Sequence, residues 1–421
     1  MSDPKQTIVV TGIGAVSPYG VGMAALEAGL LAGQGCIAPA GEIYPGFVGS
    51  VARVHELPRL LSRFLPLAVA ARYSRTDCLA IAAAHDAAAG LSADAELMSA
   101  SGVVMASTVG GLCELDPSIA GDPAAWYRGH SLARAATYPV SRVAESVGEQ
   151  LCANGPRFAV SVACASGAMS IALAANLLLD GAVPLMFAGG SDALCPFTLS
   201  GFNSLQALDA NLCRPFDQGR KGLNLGEAAA VLALETLAHA QQRHAPVLAV
   251  LRGWAMGNDA SHPTAPHKDG VSLASCIRAA IQMAGLESEQ IGYVNAHGTG
   301  TPLNDIAEAH AYDAAFAERS EPVPVSSTKS YTGHCLGAAG ALEAGITIAA
   351  IRNGALFPTL RLSNPIESSR VHWLSGEVRR RAVAHAMSVS AGFGGSNAAL
   401  VFSEYPAEGH DGADGKRRER A

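Results

Sequence analysis

A chain of 421 residues, 49% hydrophobic and only 15% charged, can bury one large core or two fused ones, which excludes a disordered protein. A net charge of −7 argues against nucleic acid as the main partner; a short basic end, GKRRERA at 415–421, lies inside a Gly-, Asp- and charge-rich stretch that predicts a disordered tail over 406–421. MSDPKQ leads straight into an apolar strand without a charged-then-apolar leader, and the longest apolar helix, LGAAGALEAGITIAAI, contains Glu343 and is too short for a bilayer, so a soluble cytoplasmic protein without a membrane partner is expected.

In chain order, strand-like runs alternate with Ala-rich helical patterns. Strands are predicted at TIVVT from 7, GVVMAS from 102, FAVSV from 158, PLMFAGG from 184, AAVLALE from 229, VLAVLRG from 247, IGYVNA from 291, PVPVSS from 322, HAMSVS from 385 and AALVFS from 398. Helices are predicted over 65–89, 166–180, 270–285, 304–318 and 338–352. This alternation points to an α/β protein with helices packed over sheets. No Pro- or Ser-rich linker divides it; the polar dip AHAQQRHAP at 238–246 is the best junction, giving halves 1–245 and 246–405.

Early in the chain, TGIGAVSPYG offers Gly12 and Gly14, but Ser17 occupies the third glycine position of a dinucleotide fingerprint, so a tight turn after the first strand is the better reading. There is no Walker A sequence and no HExxH. Nine cysteines, at 36, 78, 113, 152, 164, 195, 213, 276 and 335, form no CxxC pair and no metal-ligand spacing, so most are expected to be small buried residues in a reducing compartment. No metal and no diffusible cofactor is expected.

One of those cysteines differs from the rest. In SVACASGAMS, an apolar strand meets a small-residue helix, so Cys164 falls at a helix start, where the N-terminal dipole favours thiolate. In the second half, VNAHGTGTPLND places His297, Thr299 and Thr301 in a glycine loop after a strand. SSTKSYTGHCLGAAGALEAG then sets Lys329 and His334 just ahead of a helix. Any one of these residues alone is as readily a buried thiol or a surface polar group. Near the end, SVSAGFGGSNAALVF is a strand, a glycine turn and a strand; Phe393 in that turn is either a core ring or a mobile plug over a cavity.

Taken in order, the Cys164 segment, RPFDQGRKGLNLGEAAAVLALE at 214–235, NAHGTGT, SSTKSYTGH with GAAGALEAG, and GFGGSN resemble the elongating β-ketoacyl-acyl carrier protein synthases, over residues 7 to 404. The resemblance implies a thiolase-like fold: two βαβαβαββ halves in five α-β-α-β-α layers, as a homodimer or a heterodimer with a chain-length-factor-like subunit, built across a sheet edge. It implies an acyltransferase that extends a fatty acyl, polyketide or polyene chain by decarboxylative condensation, with substrates carried on the 4′-phosphopantetheine of acyl carrier protein. By resemblance Cys164 takes the acyl group, His297 and His334 stabilise the enolate, and Lys329 supports them. Glu343 and Asp305 stand behind the site, and the amides of Cys164 and Phe393 form the oxyanion hole. Thr299 and Thr301 bind the phosphopantetheine arm. Val109 occupies a place that limits acyl-chain depth, while Ala391 and a short QALDANLCRPFD loop hint at a specialised ketosynthase.

Arg63, Arg72, Arg75, Arg128 and Arg134 are candidates to steer an acidic carrier protein. Two other readings stay open: a chain-length-factor-like subunit with little activity of its own, against which the retained Cys164, His297, Lys329 and His334 speak, and a thiolase, in which a second cysteine acts as base.

Overall fold

The computed structural model describes residues 3–40, 49–55, 57–114 and 136–406. Its core is one eight-element pattern run twice. The first run is β1 (Ile8–Ser17), α1 (Arg75–Ala89), β2 (Gly102–Ala106), α2 (Arg142–Leu151), β3 (Arg157–Val160), α3 (Ser166–Leu179), β4 (Leu185–Asp192) and β5 (Ala228–Thr236). The second is β6 (Ala249–Asn258), α4 (Val271–Met283), β7 (Tyr293–Asn295), α5 (Pro302–Ala315), β8 (Val323–Ser326), α6 (Ala339–Asn353), β9 (His385–Gly392) and β10 (Ser396–Ser403).

Strand order is the same in both: β3-β2-β4-β5-β1 and β8-β7-β9-β10-β6, with Val371–Trp373 added outside β8. In each, the first three strands of that order are parallel and the last two pairings antiparallel. The two sheets are not separate. β1 pairs with β6 through Ile8–Leu251, Val9–Val250 and Val10–Ala249, joining them into one sheet.

Three apolar clusters define the layers. One packs α1 and α2 on the outer face of the first sheet, one packs α4 and α5 on the outer face of the second, and a central one holds α3 and α6 between them. The central helices are mostly apolar or small, as their burial requires, with Glu343 the buried charged exception in α6. They also approach closely: a Cβ on Gly167 would lie 2.7 Å from the Ala341 nitrogen, and one on Gly340 2.6 Å from the Ala168 nitrogen. Each fully buried Leu or Ile in these layers contributes about 1.5–3 kcal/mol.

All ten predicted strands are present, and four of the five predicted helices lie within a few residues of their predicted bounds. The fifth, 65–89, is two helices, Leu67–Ala70 and Arg75–Ala89. Ser74 splits it by capping the second: its Oγ accepts from the Asp77 amide at 3.1 Å, and its own amide donates to Asp77 Oδ2 at 3.0 Å. Such a cap is worth about 1 kcal/mol. The tight turn expected after the first strand is present, at Pro18–Tyr19 and not at Gly12 and Gly14. Both lie inside β1, on either side of no turn but beside α1: a Cβ on Gly12 would sit 2.3 Å from the Ala87 carbonyl oxygen, and one on Gly14 2.0 Å from that of Ala83. The glycines let a helix lie on the strand; the chain reverses later, at Pro18–Tyr19.

Candidate active site

Cys164 follows β3 by four residues. The chain turns sharply there because Ala163 adopts a left-handed φ of 47°, and Ser166 Oγ clamps the turn, accepting from the Val162 amide at 2.7 Å and donating to the Ala163 carbonyl at 2.5 Å. The thiol therefore stands at the start of α3, 7% exposed. The expected lowering of its pKa is not what the environment produces: burial pushes the thiol up to about 12, while Lys329 and a hydrogen bond from the Phe393 amide pull the other way. Desolvation outweighs the favourable partners, so Cys164 rests as a thiol.

His297 and His334 face the same cavity as Cys164, with ring centroids 5.3 Å apart and planes at 84°. Burial holds both imidazoles well below their ordinary range, and the Lys329 charge adds to it, so both are neutral. Their tautomers follow from their partners. Lys329 Nζ lies 3.3 Å from His297 Nδ1, and an ammonium can only donate, so that nitrogen accepts. The Leu336 amide donates to His334 Nδ1 at 3.3 Å. In each ring the proton is thereby left on Nε2.

Lys329 also donates to the His297 carbonyl at 2.5 Å and pairs with Glu343 Oε1. Burial pushes Glu343 up to about 7 against the pull of Lys329, and its Oε2 has no partner among the described residues. Asp305 links two loops: Oδ2 accepts from the Phe216 amide at 2.7 Å and Oδ1 from the Gly300 amide at 3.1 Å. Two buried carboxylates that the sequence did not single out complete the frame. Glu308 accepts from the amides of His297 at 2.9 Å and Gly298 at 2.6 Å, and from Tyr312 Oη at 2.8 Å. Asp192, at the end of β4, gathers the 107–109 loop and the segment after His334. Neither has a local signal beyond being an acid in an apolar setting.

The cavity measures about 510 Å³ and is lined by Cys164, His297, His334, Thr299, Thr301, Phe393 and largely apolar neighbours. Thr299 and Thr301 share a hydroxyl–hydroxyl bond of 2.8 Å. The Phe393 ring lines the cavity rather than the core and stacks on Phe202 at 5.6 Å. The preceding Gly392 is needed for fit: a Cβ there would lie 2.9 Å from the Cys164 nitrogen. Val109 is 1% exposed, does not line the cavity, and sits in an apolar cluster with Leu199, Leu223 and Leu336. Ala391, by contrast, is on the cavity wall. Cys335 is buried and turned away, within sulfur hydrogen-bond reach of the Thr332 carbonyl.

Of the arginines considered for docking, Arg63 and Arg72 are exposed. Arg75 is not a free surface charge, because its guanidinium grips buried Glu227 at 2.5 and 2.9 Å and the Val54 carbonyl at 2.6 Å. Arg128 and Arg134 lie outside the described residues, as does the tail beyond residue 406. Among the described residues no cluster of three or more His, Cys, Asp or Glu is placed to hold a metal ion, and no helix is long and apolar enough to cross a membrane.

Two equivalent βαβαβαββ runs around a shared helical layer, with the functional groups collected beyond the C-terminal ends of β3, β7, β8 and β9, define a thiolase-like protein. The family description "Beta-ketoacyl synthase, N-terminal domain" matches residues 5–240 and "Beta-ketoacyl synthase, C-terminal domain" matches residues 248–363; the chain belongs to the beta-ketoacyl synthase family. It is 34% identical over 423 residues to 3-oxoacyl-[acyl-carrier-protein] synthase 2 of Vibrio cholerae, covering 94% of this chain and 99% of the relative. It is 32% identical over 429 residues to the chloroplastic 3-oxoacyl-[acyl-carrier-protein] synthase I of Hordeum vulgare, covering 96% and 90%. Among solved structures, the ishigamide ketosynthase/chain length factor superposes with a TM-score of 0.86 at 30% identity, over 95% of this chain and 99% of that one. A ketosynthase in complex with its chain length factor from Xenorhabdus doucetiae gives 0.81 at 29%, over 96% and 100%.

Proposed function

We propose that this chain is an acyltransferase that joins an acyl group held on Cys164 to a malonyl unit delivered by acyl carrier protein, with loss of carbon dioxide. The observation that carries the reading is the pair of neutral imidazoles, each with Nδ1 occupied and Nε2–H without a partner among the described residues, beside a buried thiol in one cavity.

In the first half-reaction Cys164 Sγ attacks the acyl thioester. The C–S bond to phosphopantetheine breaks, and the thiol proton leaves with the departing sulfur, so the resting thiol needs no separate base. The amides of Cys164 and Phe393 receive the carbonyl oxygen as it becomes an oxyanion. Thr299 and Thr301 line the approach and hold the pantetheine arm. In the second, the malonyl C–CO₂ bond breaks and its electron pair becomes an enolate. Its oxygen is met by two Nε2–H donors that need no reorganisation, each worth on the order of 3 kcal/mol in such a site. The enolate carbon attacks the Cys164 thioester, the tetrahedral intermediate collapses, and the cysteine sulfur takes up one proton.

Lys329 fixes the His297 tautomer, Glu343 balances the lysine charge, and Asp305 and Glu308 hold the two loops in register. Val109 does not reach the cavity itself; it packs behind Leu223, which lines it, and bears on acyl-chain depth only through that residue. The acyl group comes from fatty acid, polyketide or polyene synthesis, in the cytoplasm, without a diffusible cofactor. The halves 1–245 and 246–405 act as one body, and the partner is a second copy or a chain-length-factor-like subunit docked on the edge strand β3, where Phe158 is 43% exposed.

Malonyl carrier protein supplied with acyl carrier proteins of several chain lengths tests this. A product longer by two carbons, absent with His297→Ala or His334→Ala, is expected. No product from any acyl group, even with a partner subunit present, would assign the chain the chain-length-factor role instead.

A further inference from the structure

Asp192 is fully buried, and five donors converge on it. Its Oδ1 accepts from Ser107 Oγ at 2.6 Å, the Thr108 amide at 3.0 Å and the Val109 amide at 2.9 Å; its Oδ2 accepts from Thr108 Oγ1 at 2.6 Å, the Thr108 amide at 3.0 Å and the Gly337 amide at 2.6 Å. The last of these reaches across from the first half of the chain to the turn after His334.

That turn carries an outlier. Leu336 is 3% exposed, yet holds φ at 52°, a left-handed conformation that a bulky non-glycine residue keeps only where its surroundings over-determine it. The Leu336 amide is the donor that occupies His334 Nδ1. On the other side of His334, its backbone is pinned to the 224–226 segment, its amide donating to the Asn224 carbonyl at 2.7 Å and its carbonyl accepting from the Gly226 amide at 3.0 Å. The imidazole's orientation and tautomer are therefore set by the 336–337 turn, and that turn is anchored by Asp192.

We propose that Asp192 is a positioning residue for His334: by accepting the Gly337 amide it holds Leu336 in the left-handed turn whose own amide keeps the His334 proton on Nε2. The assignment deepens the condensing-site reading above and rests on it for its catalytic consequence, but its structural content does not. Asp192 touches neither substrate nor the reacting atoms.

Asp192→Asn tests it with little change in size. Three donors face Oδ1 and would claim the amide oxygen, turning the new NH₂ toward the Gly337 amide, where two donors cannot bond. Thr108→Val is the control, because it removes one Oδ2 partner and leaves the Gly337 amide bond to Asp192 in place. Nitrogen-15 NMR of the histidine rings, with His334 assigned by its loss in His334→Gln, is expected to show the Nε2–H tautomer in wild type and Thr108→Val, and a mixture of tautomers in Asp192→Asn. Malonyl decarboxylation should fall by up to about tenfold in Asp192→Asn, in step with the loss of the Nε2–H tautomer, while acylation of Cys164 stays within about threefold. In a His334→Ala background, Asp192→Asn should cost less than about twofold more.

An unchanged His334 tautomer, an equal fall in both half-reactions, or full additivity with His334→Ala would each overturn the assignment and leave Asp192 a structural acceptor only. Should Asp192→Asn not fold, Gly337→Ala disturbs the same contact from the other side, since its Cβ would lie 2.8 Å from Asp192 Oδ2; the same tautomer readout then decides. The NMR result needs no turnover, so it separates a failure of this inference from a failure of the condensing reading.

Discussion

Lys329→Met tests how the two imidazoles are held as donors. Lys329 Nζ touches three groups: His297 Nδ1 at 3.3 Å, the His297 carbonyl at 2.5 Å and Glu343 Oε1. Removing it has two separable effects. Glu343, whose Oε2 already lacks a partner among the described residues, is left as a buried carboxyl without its cation, which costs about 3–5 kcal/mol of stability when one member of such a pair is deleted. His297 loses the donor that fixed its tautomer, so one of two oxyanion donors is no longer preset; such a loss costs about 2.7–4 kcal/mol, or on the order of 10²–10³ in rate. Carbon dioxide release from malonyl carrier protein reads the second effect, and thermal unfolding reads the first. The double variant Lys329→Met, Glu343→Leu replaces the pair by apolar groups, and such exchanges are often neutral or better. It should recover most of the stability and none of the decarboxylation. Recovery of decarboxylation along with stability would refute the tautomer argument, since the lysine would then act through folding alone.

Other consequences follow from the same geometry. Gly392→Ala forces a Cβ against the Cys164 and Ala165 nitrogens, at 2.9 and 3.2 Å, an overpacking worth about 1–3 kcal/mol; the rate of Cys164 acylation by an acyl thioester should drop by about tenfold or more, and an unchanged rate would contradict the placing of Phe393 beside the thiol. His297 and His334 are held well below their ordinary range, whereas the unfolded chain protonates them near pH 6.5. Their contribution to stability is thus present above about pH 6.5 and is lost as the pH falls toward their folded-state values, with a slope of up to about 1.4 kcal/mol per pH unit for each. Denaturant unfolding between about pH 7.5 and 5.5 should show a shallower slope for His334→Gln than for wild type. Phe158→Lys puts a charge on the exposed edge of β3, a common means of blocking edge pairing; sedimentation should show a monomer where wild type associates.

Much of the fold is legible in the sequence because period and length speak locally. Each of the ten predicted strands is an apolar run bounded by turn or helix residues, and the central helices announce themselves by small residues on all faces. The failures have equally local causes. Ser74 and Asp77 spell a capping box inside what reads as one continuous apolar helix, and the helix Arg142–Leu151 is not among the predicted ones although Val143, Val147 and Leu151 follow helical spacing and are buried. Gly12 and Gly14 look like turn residues because the helix that needs their missing side chains lies more than sixty residues away.

The site divides along the same line. Cys164, His297, Lys329, His334 and Phe393 sit in short motifs that stand out only as an ordered set, and only the fold brings the second-half loops to the first-half thiol. The tautomers, the protonated state of Cys164, and the roles of Asp192 and Glu308 depend on contacts between loops far apart in the chain. A carboxylate that accepts backbone amides from a distant segment leaves no pattern around itself.

The central claim is that Cys164 carries the acyl group during condensation. Intact-mass analysis after exposure to a panel of acyl carrier proteins tests it most directly. The account predicts an acyl adduct on the wild type, none on Cys164→Ala, and loss of the adduct when malonyl carrier protein is added. An adduct that persists on Cys164→Ala, or no adduct with any acyl group, would contradict it.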